Sequence, residues 1–418
     1  MRITLGNLEQ LRAQFPALAL NDAGQSRLYF DNPAGTQVPR SVVERMSDCM
    51  LGASANLGGY FRTSDLAGEI VADAQAAMAD FLNAPSADEI VFGQNMTSLT
   101  FHLSRSIGRH FSAGDEIVLS RMDHDANVEP WVLMARDHGL VVRWLPFDTQ
   151  SFEIDLAKLD DVLNDRTRLV CIGGASNLTG TINDIENICR KARDAGAWTF
   201  VDGVQSAPHV VTDVQAIGCD FFVCSAYKFF GPHQGILWGK RDVLESLEPY
   251  KVKPAPDTIP WSFAPGTASH EGLAGTAAAI DYLARIGAST TDSVADRKAG
   301  LARGMQVMFD YEQELSSHLV SGLQTLPGVT VQGITAAERM NWRVPTVAFT
   351  HASVLPAVIA KTLAERNIFV WSGHNYAVEA AGALGILESG GAVRVGPVHY
   401  NGISEIDTLL AALEPILA

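Results

Sequence analysis

The chain has 418 residues, 47% of them hydrophobic, enough to bury a large core and to suggest two to three domains; a small disulfide scaffold is excluded. Its 31 basic residues stand against 47 acidic ones, a formal net charge of −16. Such a surface repels nucleic acid and anionic membrane at long range, so neither is expected as a partner.

The chain opens on MRITLGNLEQLRAQF, which lacks the basic start and apolar stretch of a secretory signal. No apolar run is long enough to cross a bilayer, and a soluble, cytoplasmic protein is expected. From residue 89 to 240 short apolar runs recur, rich in β-branched and aromatic residues: EIVFGQN, EIVLSR, VVRWLPF, RLVCIGGASN, TFVDGVQ, DFFVCSAY and GILWGK. Segments with helical spacing lie between most of them, such as DLAKLDDVLND and NDIENICRKARDAG, the latter closed by Gly196. Strand, helix, strand alternation predicts an α/β fold with a mostly parallel sheet covered on both faces.

Beyond it, VKPAPDTIPWSFAPGTASHEG is proline-rich, aperiodic and too long for an idle connector, and reads as a functional loop. A long helix is expected from about Asp292 to Leu326, then strands in RVPTVAFTH, IFVWSG and AVRVGP, and a closing helix ISEIDTLLAALEPIL. The expected organisation is a large domain over residues 51–290 and a smaller C-terminal α/β domain over 291–418. The N-terminal segment 1–50 is expected to pack with the smaller one.

Five cysteines, Cys49, Cys171, Cys189, Cys219 and Cys224, form no CxxC pair and sit mostly in apolar segments, which suits reduced core thiols. The histidines show neither HExxH nor a Cys/His cluster, so no metal is expected.

In open α/β sheets ligands gather at the carboxyl ends of the strands. Asn177 follows RLVCIGGAS, Asp202 and Gln205 end TFVDGVQ, and Ser225, Tyr227 and Lys228 end DFFVCSAYK. His124 lies just past EIVLSR, and Thr97 and Ser98 sit in the first turn of a helix, where free N–H groups and hydroxyls can bind phosphate. Singly, most of these have ordinary explanations as caps, turns or packing residues. Together they supply what pyridoxal 5'-phosphate (PLP) requires: an amine for a Schiff base, an acid for the pyridinium nitrogen, a ring to stack on it, and donors for its phosphate.

The segment VDGVQSAPHVVTDVQAIGCDFFVCSAYKFFGP resembles the signature of class V, fold type I, PLP-dependent enzymes, most closely the cysteine desulfurase and selenocysteine lyase group. FDNPAGTQVP, NMTSLTFHLSRS, MDHDANVEPW, ASNLTGTI, FAPGTASHEG and VRVGPVHYNGISEID resemble that group in the same order. The resemblance implies that Lys228 carries the cofactor and shuttles protons, that Asp202 pairs with the ring nitrogen, and that His124 stacks on the ring. It implies Gln205 and Asn177 at the ring hydroxyl or substrate, and Thr97, Ser225 and Tyr227 at the phosphate. Arg394 would hold the substrate α-carboxylate as a planar fork, with His374 and Asn177 beside the substrate. A homodimer is implied too, with Gly266 and Thr267 reaching the partner subunit's cofactor.

Cysteine desulfurases of this group attack the substrate sulfur with a mobile cysteine that follows a Gly-His pair. Here the stretch is VWSGHNYAVEAAGALG: Gly373 and His374 are kept, Tyr376 stands where the cysteine is expected, and Trp371 replaces a usual basic residue. Three readings remain open: a PLP lyase expelling a group from Cβ of an amino acid, sulfur compounds included, without persulfide chemistry; a class V aminotransferase; and a PLP-binding or regulatory protein without turnover.

Overall fold

The computed structural model describes Ile3 and residues 5–288 and 296–418. The domain boundary expected at 290/291, and the start of the helix expected from Asp292, lie outside the described residues.

All seven apolar runs between residues 89 and 240 form strands of one sheet: β1 (Ile90–Gly93), β2 (Glu116–Ser120), β3 (Val141–Leu145), β4 (Thr167–Gly173), β5 (Trp198–Asp202), β6 (Phe221–Ser225) and β7 (Gly235–Gly239). Their order is β1-β7-β6-β5-β4-β2-β3. Pairing is parallel from β6 through β5, β4 and β2 to β3, whereas β7 runs antiparallel to both β6 and β1. Because successive side chains leave a strand on opposite faces, each run feeds two cores. Phe200, Phe221 and Val223 pack in one layer, and Val201, Phe222 and Cys224 in the other. That double burial is why these strands read as continuous apolar runs rather than alternating ones.

The C-terminal part holds an antiparallel sheet of β8 (Val329–Gln332), β9 (Val347–His351), β10 (Trp371–Gly373) and β11 (Ala392–Val395), in the order β8-β9-β11-β10. Two features depart from expectation. The strand β8 was not foreseen, and IFVWSG does not form one strand: Ile368–Phe369 pairs in parallel with Leu28–Tyr29, while Trp371–Gly373 joins β11. The long helix spans Arg297–Thr325 and the closing helix Ile403–Leu417.

The N-terminal segment is bound to this part by backbone bonds from Leu28 N to Asn367 O (2.8 Å), Phe30 N to Phe369 O (2.9 Å) and Gly396 N to Phe30 O (2.7 Å). Arg12 also pairs with Glu405 at 3.0 Å. Further along, the helix Arg40–Gly52 packs instead on His270–Gly287, with Val42 buried against Ala278 and Ala279. A buried polar cluster ties the halves of the molecule together. His209 Nδ1 lies 2.7 Å from Glu312 Oε2, His399 N donates to Glu312 Oε1 (3.1 Å), and Tyr282 OH meets His399 Nε2 at 2.6 Å. Among the described residues no helix is long and apolar enough to cross a membrane.

Candidate active site

The carboxyl ends of the parallel strands converge on one pocket. It is lined by Thr97, His124, Asn177, Asp202, Gln205, Ser225, Tyr227 and Lys228, all anticipated from sequence, together with Asn95, Asp123 and Gly173.

Asp202 is the last residue of β5 and pairs in register with Gly173 of β4. Its Oδ1 accepts the Val204 N–H at 2.9 Å, while among the described residues no donor meets Oδ2. Burial pushes this carboxyl up to about 6, opposed by the Val204 N–H and the nearby Lys228 amine. Lys228 follows β6 in the short turn Ala226–Lys228, donates to the Pro33 carbonyl, and holds its Nζ 5.0 Å above the Tyr227 ring. Its amine is lowered to about 7, chiefly by burial and then by the Arg394 guanidinium, with Asp31 and Asp202 pulling the other way. An amine so placed exchanges a proton readily near neutrality.

His124 begins a turn past β2, where its Nδ1 accepts the Ala126 N–H at 3.0 Å. Burial, with Lys228 and Arg394 close by, lowers the imidazole to about 3, so it is a neutral ring with its proton on Nε2. Asn95 caps the helix Met96–Gly108 by accepting the Ser98 N–H at 2.9 Å, and Ser225 Oγ accepts the Met96 N–H at 3.2 Å. Thr97 is left at the helix N-terminus facing the pocket. Gln205 donates to Thr346 Oγ1 (2.8 Å), and Asn177 donates through Nδ2 to the Asn375 carbonyl (2.6 Å) with its own Oδ1 buried and unpartnered. Tyr227 stacks on His233, the ring centroids 4.9 Å apart.

Five anticipated residues stand apart from this pocket. Ser98 and Thr267 line a larger neighbouring cleft with Gly266, and the Ser98 N–H is already committed to the Asn95 cap. Arg394 is buried and is not among the residues lining the pocket; it donates to the Asn177 carbonyl (3.0 Å) and lies 3.6 Å from Asp31. His374 is exposed on the rim, its Nδ1 accepting the Tyr376 N–H at 3.1 Å.

Asp123 was not anticipated. It is buried, accepts from Asn127 Nδ2 (2.7 Å) and is pushed up to about 7, first by burial and further by the charge of Asp202. In MDHDANVEPW it passes as the neighbour of His124; only its place between an apolar strand and that histidine could have marked it.

The free groups fit PLP: a buried acid with an uncommitted oxygen, a depressed lysine amine, a flat neutral ring, an unpartnered amide oxygen and a helix N-terminus share one pocket. Fold and site together define a fold type I PLP-dependent enzyme. The family model described as Aminotransferase class-V matches residues 28–409, and the chain belongs to that family. A cysteine desulfurase of Yersinia pestis (strain Pestoides F) is 30% identical to it over 424 residues, covering 98% of each chain. Among solved structures, the apo cysteine desulfurase from Thermococcus onnurineus NA1 is similar with a TM-score of 0.88 and 27% identity, covering 100% of this chain and 98% of that one. The cysteine desulfurase CsdA from Escherichia coli is similar with a TM-score of 0.84 and 27% identity, covering 99% of this chain and 100% of that one.

Proposed function

We propose that this enzyme is a lyase that expels a leaving group from Cβ of an amino acid, sulfur compounds included, without passing sulfur to a protein thiol. One observation carries the reading. The stretch from Trp371 to Gly385 has no cysteine, and all five thiols of the chain are buried. Burial pushes Cys189 up to about 12 and Cys171 and Cys219 well above the ordinary range, whereas a sulfur-accepting nucleophile needs an accessible thiolate.

Bound PLP supplies an electron sink for negative charge at the amino acid's Cα. In this reading Lys228 Nζ accepts the Cα proton, its lowered pKa keeping a larger share of the amine unprotonated near neutrality. Asp202 holds a proton at the ring nitrogen through its uncommitted oxygen, and His124 stacks on the ring. Thr97, Ser225 and Tyr227 bind the phosphate, and Gln205 and Asn177 orient the ring hydroxyl and the substrate. Arg394, assisted by His374, holds the substrate α-carboxylate, a bidentate contact that fixes which Cα substituent faces Lys228. The cleft carrying Gly266 and Thr267 meets the partner subunit of a homodimer, Thr267 reaching that subunit's phosphate site. Residues 51–290 act as the cofactor-binding domain and 291–418 as the small domain, with the Leu28–Phe30 stretch packed beside the latter and the helix Arg40–Gly52 on the former.

The test is incubation of the holoenzyme with L-cysteine and, separately, β-chloroalanine, followed by product analysis. Pyruvate with ammonia is expected. Stoichiometric alanine with a trapped persulfide on any of the five cysteines would overturn the reading, and so would accumulation of the pyridoxamine form with a keto acid, the aminotransferase outcome.

A further inference from the structure

The loop between β10 and the helix Val378–Ala383 carries a feature that the proposed chemistry leaves unused. The Tyr376 ring lies parallel to the His124 imidazole, centroids 5.3 Å apart and planes 17° from parallel. His124 lines the pocket, whereas Tyr376 is not among its lining residues.

This contact is built in rather than incidental to an exposed side chain. The Tyr376 carbonyl accepts the N–H of Asp125, the residue after His124, at 2.8 Å, so the two rings hang from backbones bonded to each other. On one side, the Asn375 carbonyl accepts Asn177 Nδ2 at 2.6 Å, and Arg394 grips the Asn177 carbonyl in turn. On the other, the Tyr376 N–H is held by His374 Nδ1, and Glu379 pairs with Arg121. Asn375 and Tyr376 both adopt left-handed backbone, with φ of 52° and 59°. Two successive non-glycine residues keep that conformation only where surrounding contacts over-determine it. The loop is therefore tied down where it meets His124.

We infer that Tyr376 is a positioning residue: it backs the His124 ring and holds it flat for stacking on the cofactor. This rests on the reading of His124 as the ring that stacks on PLP. The imidazole is held in its plane by the Ala126 N–H at Nδ1 and by the phenol stacked on it. Removing the phenol frees the ring to tilt. Parallel-displaced aromatic pairs contribute enough to change an equilibrium about 2- to 12-fold.

The experiment has two readouts. In the cofactor-free full chain, the His124 ring protons, followed by NMR with ring-labelled histidine, should shift when Tyr376 is replaced by Ala and stay put in Tyr376→Phe, which keeps the ring current. In PLP titrations of the same proteins, Tyr376→Ala should weaken binding about 2- to 12-fold and Tyr376→Phe should restore it. Placed on a His124→Ala background, Tyr376→Ala should cost nothing further. Unshifted His124 protons in Tyr376→Ala, or an equal loss of PLP affinity in both backgrounds, overturns the positioning role while leaving His124 as the stacker. Wild-type PLP affinity in His124→Ala overturns the reading of His124 itself, and the inference with it.

Discussion

The depressed amine of Lys228 offers the most direct check on the site. In the cofactor-free chain it titrates near 7 instead of 10.5, chiefly because burial penalises the ammonium and then because Arg394 repels it. At pH 7 about half of the amines are then neutral, against roughly one in 3,000 for an ordinary lysine, so about a thousandfold more nucleophile stands ready. The same shift bears on stability. Between pH 7 and 10.5 the unfolded chain holds a proton at this site that the folded chain lacks, so the lysine's contribution to stability rises with pH through that window. At about 1.4 kcal/mol per pKa unit, the shift corresponds to a contribution on the order of 5 kcal/mol across that window. Timed acetylation of the cofactor-free protein across the pH range, read at the Lys228 peptide by mass spectrometry, gives the midpoint directly. It should fall near 7, move up in Arg394→Gln and move down in Asp202→Asn. A wild-type midpoint above about 9 would refute the reasoning, because the burial that lowers the amine would then be absent.

Arg394→Ala should raise KM for amino acids by the loss of a charge-assisted contact, about 1.5–3 kcal/mol, while amines lacking a carboxylate are turned over no worse than by the wild type; steady-state kinetics on the two substrate classes decides it. His209→Ala removes a hydrogen-bond partner of buried Glu312 and should lower the apparent unfolding free energy by about 1–3 kcal/mol near pH 8. Burial raises the Glu312 carboxyl, so in the variant it takes up a proton as pH falls and the loss should shrink by about pH 5, as denaturant titrations at the two pH values would report.

The large sheet was legible because most of its strands are apolar on both faces, which leaves an unbroken run in the sequence; β3, at the edge, keeps Val141 and Arg143 exposed. Direction is another matter. Nothing in GILWGK says which way β7 points, since an apolar run reads alike whether its neighbours are parallel or antiparallel. The strand β8 escaped notice because it sits at a sheet edge with only Val331 and Gln332 buried. Within the pocket, the residues found from sequence end strands or lie within a few residues of a strand end, where position along the chain fixes position on the rim. What could not be read were meetings between distant segments: Asp31 with Arg394, Pro33 with Lys228, and Tyr376 with His124. Tyr376 drew attention as the residue standing in a cysteine's place, but its partner follows from tertiary packing alone.

The antiparallel course of β7 has a consequence for how the chain tolerates change in length. Parallel neighbours need a crossover that returns the chain to the far edge of the sheet, and such crossovers can grow without disturbing either strand end. Lys228 lies on no such crossover. Its link leaves β6 and re-enters β7 on one rim, closed at the base by the Ser225–Gly235 pairing and by the Ala226 N–H bonded to the Gln234 carbonyl at 2.8 Å. An extra residue within that closed span would displace the amine from the strand ends that define the pocket. Lys228 thus sits in the antiparallel β6–β7 link of the large sheet, where a change in length falls directly beside the pocket.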